Sequence, residues 1–66
     1  MAKPYISLKP TEQTLTTAAA GIYAAYITAG RVANGEEKSW MDRAIREAIR
    51  IARTIDESVQ SDGEFD

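Results

Sequence analysis

From Leu15 to Ala33 the chain reads LTTAAAGIYAAYITAGRVA and carries a single charge, Arg31. At helical spacing Leu15, Ala18, Ala19, Ile22, Tyr23, Ala25, Tyr26, Ile27, Ala29, Val32 and Ala33 spread over roughly 220° of the wheel, whereas a surface helix needs an apolar stripe of little more than ~100°. A second pattern runs Trp40, Met41, Ala44, Ile45, Ala48, Ile49, Ile51, Ala52, Ile55, Val59. It is confined to an arc of roughly 180°, and Met41, Ile45, Ala48, Ala52, Ile55 and Val59 trace a coiled-coil-like seam within it.

These patterns predict an all-α chain of two helices. The first spans 11–34, with Thr11 as N-cap ahead of Glu12 and Gln13, and stops at Asn34–Gly35, where a left-handed residue is available. The second spans 39–60, with Ser39 as N-cap and Asp42 three residues later as a capping-box-like acid. Each is about 22 residues and so about 33 Å long. A loop over 35–38 is short enough to make them antiparallel neighbours. Residues 1–10 form an extended arm with Pro4, Pro10 and the apolar Tyr5, Ile6 and Leu8, and residues 61–66 form an acidic tail.

A two-helix protein cannot cover a 220° arc by itself, so the expected fold is an antiparallel hairpin that associates. A dimer forming a four-helix bundle is the simplest closed solution, and higher oligomers use the same surfaces. The expected interface is centred on the first helix: Leu15, Ala18, Ile22, Tyr23, Ala25, Tyr26, Ala29 and Val32, joined by Trp40. Gly21, Ala25, Ala29 and Ala33 recur every fourth position, as do Ala20, Ala24 and Thr28, and such strips let helix backbones approach closely. A bulky residue at Ala25 is expected to overpack that contact.

Composition narrows the alternatives. A chain of 66 residues forms one domain whose core supplies only about 3–5 kcal/mol unless something reinforces it. It has no cysteine and no histidine, which removes disulfides, thiolate zinc sites, thiol catalysis, the commonest general base and the commonest transition-metal ligand. Oligomerisation is the reinforcement that remains. The net charge of −2 gives no general attraction to nucleic acid or an anionic membrane. The opening MAKPYISLKP has no apolar signal core, so the expected location is cytoplasmic. A membrane span over Gln13–Gly30 is disfavoured because small residues dominate and both tyrosines lie mid-segment.

Candidate chemistry is sparse. Arg43, Arg46, Arg50 and Arg53 fall within roughly 80° on the wheel, a possible anion-binding stripe for a nucleotide or nucleic-acid phosphate. Against that, Asp42, Glu47 and Glu57 stand three or four residues from Arg46, Arg50 and Arg53, where helical ion pairs would neutralise the stripe. Tyr23, Tyr26 and Trp40 read as packing residues with polar tips. Asp56, Glu57, Asp62, Glu64 and Asp66 around Gly63 match a calcium loop poorly. Glu47 or Asp56 could serve a carboxylate-dependent enzyme only in a cleft between subunits. No phosphate loop, dinucleotide fingerprint or nucleophile elbow is present. The reading that results is a small, soluble, homo-oligomeric interaction or scaffold module. It is not an enzyme, has no cofactor, and has itself as main partner, with nucleic acid a lesser alternative.

Overall fold

The computed structural model describes residues 7–62, with side chains as far as Val59. Helix α1 runs Pro10–Thr28 and helix α2 runs Glu37–Asp62; no strand occurs among the described residues. Tyr26, near the end of α1, stacks on Trp40, near the start of α2, while Ala19 packs with Ala44 and Ala48 further along. The helices are therefore antiparallel and form a hairpin. Of the expected arm only 7–10 lie among the described residues, and of the acidic tail only Ser61 and Asp62, which belong to α2.

The start of α1 is set by Pro10, whose fixed φ and missing N–H suit the first helical position. Lys9, not Thr11, is the N-cap. Its side chain has no acceptor, so the capping falls to Glu12, whose Oε1 accepts the Lys9 N–H at 2.9 Å. Thr14, Thr16 and Thr17 turn their hydroxyls back onto the carbonyls of Pro10, Glu12 and Gln13 at 3.2, 2.7 and 3.2 Å. With those polar atoms satisfied locally, the threonines present mainly methyl groups outward.

Helix α1 ends six residues before the expected Asn34. Gly30 has φ +74° and completes a Schellman closure: its N–H donates to the Ile27 carbonyl at 2.9 Å, and the Arg31 N–H to the Tyr26 carbonyl at 3.0 Å. Asn34–Gly35 does serve as a turn, one step later. The Glu36 N–H donates to the Ala33 carbonyl at 3.0 Å, and Gly35, with φ +92°, takes the third position, where such a turn needs a left-handed residue.

Helix α2 begins two residues before the expected Ser39. Glu36 supplies the first helical carbonyl, to the Trp40 N–H at 3.2 Å, and that same carbonyl accepts the Ser39 hydroxyl at 3.1 Å. Ser39 is thus inside the first turn, donating rather than capping. The helices are consequently unequal, about 28 Å and about 39 Å at 1.5 Å per residue, in place of the matched pair that the sequence suggested.

The core between them is thin. Among the described residues the buried side chains are Ala19, at 8 % exposure, Ala44, at 1 %, and Ala48, at 2 %. Leu15, Ile22, Tyr23 and Tyr26 pack onto this seam half-buried. A buried alanine methyl contributes about 0.8 kcal/mol and a fully buried leucine or isoleucine about 1.5–3 kcal/mol, so the seam fixes the spacing of the helices better than it holds them together.

Candidate functional site

Two features stand out on the hairpin, an apolar face and an arginine margin, both organised by α2. The apolar arc of α2 is wider than one neighbour can cover, and α1 covers only the flank bearing Ala44 and Ala48. The other flank carries Met41, Ile45, Ile49 and Ala52 within about 80° of the wheel. Met41 is 45 % exposed and Ile45 47 % exposed, and Ile49 is also open. Ile51 and Ile55 of α2, at 50 % and 58 %, and Ile27 of α1, at 54 %, are open as well.

Between the helices on this side lies an open groove of about 470 Å³. Leu15, Ala19, Ala20 and Tyr23 of α1 form one wall, and Met41, Ala44 and Ile45 of α2 form the other. Glu12 and Thr16 also line it, Glu12 with its carboxylate accepting the Lys9 N–H and Thr16 with its hydroxyl bonded to the Glu12 carbonyl. The floor is made of alanines, so the groove is concave. Ile49 follows Ile45 round α2, so the groove is bordered by a ridge of these two isoleucines.

The hairpin end is closed by an aromatic cluster. Tyr26 and Trp40 have ring centroids 5.0 Å apart at 58°, in the tilted range that aromatic pairs favour. The Trp40 Nε1–H donates to Glu36 Oε1 at 3.3 Å. The Arg43 guanidinium sits 5.4 Å from the Trp40 ring and 6.0 Å from the Tyr26 ring, within cation–π reach of both.

This splits the expected arginine stripe. Arg43 belongs to the aromatic cluster, whereas Arg46, Arg50 and Arg53 line an open depression on α2 together with Ile49, Thr54 and Glu57. The expected neutralisation of the stripe also differs. Asp42 pairs with Lys38 at 3.0 Å instead of Arg46, because Lys38 lies one turn before it on the same side. The pairs Glu47–Arg50 and Arg53–Glu57 do not form among the described residues.

The expected interface residues divide in two. Leu15, Ile22, Tyr23, Tyr26 and Trp40 meet the seam or the aromatic cluster within the hairpin. Ala18, Ala25 and Ala29 lie exposed, and a methyl group added at Gly21 would meet nothing within 4 Å, so the small-residue strip does not face α2. Val32 is half-buried in the connection, outside the helix that was expected to present it. The groove and ridge residues Met41, Ile45 and Ile49 were absent from the expected set. Their signal was present in the sequence: they are large aliphatic residues of the second apolar pattern.

The carboxylate alternative gains no pairing from the geometry. Glu47 and Asp56 are nine positions apart, about 180° round the helix, so they lie on opposite sides of α2. Among the described residues no group of three or more His, Cys, Asp or Glu could hold a metal ion, and no helix is long and apolar enough to cross a membrane. Set against family models, curated proteins and solved structures, the chain has no significant match.

Proposed function

We propose that this chain is a homo-oligomeric helical interaction or scaffold module, with a dimer forming a four-helix bundle as its basic unit and no catalytic step of its own. The supporting observation is the contrast between a seam of three buried alanines and a row of exposed isoleucines alongside it. A small chain with so little core needs reinforcement, and with no cysteine the exposed apolar face is the means available. An apolar face of this kind marks a protein–protein contact. A cytoplasmic setting is part of the proposal and agrees with the cysteine-free composition. Sedimentation equilibrium from 1 to 100 µM tests it. The expected result is a dimer or larger species with helical circular dichroism, and a folded monomer throughout that range would remove the proposal.

A second reading is favoured by one specific observation. Because Asp42 engages Lys38, it is drawn away from Arg46, which lines one open depression with Arg50 and Arg53. That arrangement supports binding of a phosphate-bearing ligand. Titration of a fluorescent oligonucleotide decides it: binding that weakens steeply as salt rises, and that Arg46→Gln/Arg50→Gln removes without unfolding, is the expected signature. Weak binding indifferent to both changes would leave the arginines as a solvated helix face.

A further inference from the structure

We infer that the occupant of the groove is α2 of a second copy of this chain, related by a twofold axis parallel to the helices, so that the ridge of each copy lies in the groove of the other. The inference rests on the self-association proposed above and adds which face is used and how the copies are oriented.

The shape of the face argues for a second copy. Groove and ridge lie side by side on one surface and share Met41 and Ile45, and an isologous contact requires a surface that fits itself. The alternative twofold, perpendicular to the helices, would set groove against groove. Two facing grooves of about 470 Å³ each would then leave a void between the copies, and packed apolar interfaces do not keep such voids. The parallel axis fills each groove with the partner's isoleucines. Seated in each other's grooves, the two α2 helices lie side by side about the axis, with one α1 on either flank of the pair.

Area and charge agree. Two helices side by side make a face about 20 Å wide and, over the length of α1, about 28 Å long. That is about 560 Å² in projection and more in accessible surface, comparable to the roughly 800 Å² per partner of a standard interface. Helix α1 carries no charge from Gln13 to its end at Thr28, so laying the partner's α2 along it meets one ionised α1 side chain, Glu12 at the end of the groove.

The register follows from the symmetry. An axis parallel to the helices leaves heights unchanged, so the partner's α2 meets α1 at the level where α2 of the same chain does. Tyr26 is level with Trp40 in the hairpin, which sets Ile45 level with Ala20 and Gly21 and hence beside Ala20 across the interface.

The chain has no cysteine, so single-cysteine variants report contacts cleanly. Ala20→Cys and Ile45→Cys chains, co-refolded in equal amounts and oxidised, should give a disulfide-linked heterodimer, whereas Ala25→Cys with Ile45→Cys should not. In sedimentation, Ile45→Asp should raise the dimer dissociation constant by at least about 30-fold, and Ala25→Asp should leave it within about threefold. Should Ile45→Asp fail to fold, the cross-linking pair still decides the matter. A wild-type dimer that cross-links through Ala25 and not through Ala20 overturns this face and axis while leaving self-association standing. A wild-type chain that stays a folded monomer removes both, and would give the face to a different protein's helix.

Discussion

Helices α1 and α2 both carry long apolar patterns, yet they contribute to the molecule in different ways. In α1 the apolar residues run nearly all the way round, but half are alanine, and of the bulky ones Leu15, Ile22, Tyr23 and Tyr26 turn toward α2 while Ile27 stays open. In α2 the apolar residues keep to one side, and there it is alanines, Ala44 and Ala48, that meet α1. The isoleucines of α2 are left open. The apolar breadth of a helix on a wheel is therefore a poor guide to the surface it offers a partner; the volume of the side chains and the direction of the nearest neighbour decide that. Helix α1 looks like the adhesive element and chiefly completes the hairpin, while α2 presents the larger uncovered apolar surface.

The comparison breaks first at the alanine seam. Ala44 is almost fully enclosed between the helices, so Ala44→Leu should overpack the contact and destabilise by about 1–3 kcal/mol, read from the midpoint of urea unfolding. An unchanged midpoint would mean that the helices part easily and that the seam does not set their spacing.

Gly21 within α1 and Gly30 just beyond its end give opposed expectations of smaller size. Gly30 holds a positive φ, so Gly30→Ala should cost about 1–2 kcal/mol through the left-handed backbone. Gly21 sits mid-helix with open space beyond it, so Gly21→Ala should stabilise by about 0.5–1 kcal/mol through helix propensity. Thermal melts of the pair, side by side, check both signs. A loss at Gly21 would show that its side of α1 is in close contact after all.

Arg43 sharpens the distinction between the aromatic end and the arginine margin. With its guanidinium over both Trp40 and Tyr26, Arg43→Gln should cost about 0.5–1 kcal/mol in the same unfolding experiment. Arg50→Gln should cost less, since no ring of the described residues lies beneath Arg50. Equal effects would return Arg43 to a uniform stripe.

Much of the fold is legible in the sequence, and what is not has identifiable causes. Two antiparallel helices follow from the two patterns and the turn between them, and the helix start misses by a residue because Pro10 at the first helical position displaces the cap from Thr11 to Lys9. The end of α1 is hidden because Gly30 lies in an alanine-rich run with no polar marker, while Asn34–Gly35 nearby advertises a stop. Ser39 resembles an N-cap, yet Glu36 provides both the first carbonyl and, through its carboxylate, the Trp40 contact. The groove is less legible still. It joins residues of both helices, from Leu15 to Ile45, and depends on how far each helix is rotated about its own axis, which a wheel of either helix alone does not contain. The loss of the Asp42–Arg46 pair has a local reason: with α2 beginning at Glu37, Lys38 holds a helical position one turn before Asp42 and claims it.

The smallest expected effect tests the comparison most directly. Read from the sequence, Ala25 belongs to a close-packed strip, and a leucine there should overpack the contact. In the hairpin Ala25 is exposed, on the side of α1 turned away from both the seam and the groove. Exposed substitutions of one helix former by another shift stability by no more than about 0.5 kcal/mol, so Ala25→Leu should leave both the melting temperature and the sedimentation equilibrium close to wild type. A loss of several degrees together with a changed oligomer would place the strip of α1 in the interface and return α1 to the centre of the assembly. If stability and mass are both unchanged, the open isoleucines of α2 are left as the surface that the assembly uses.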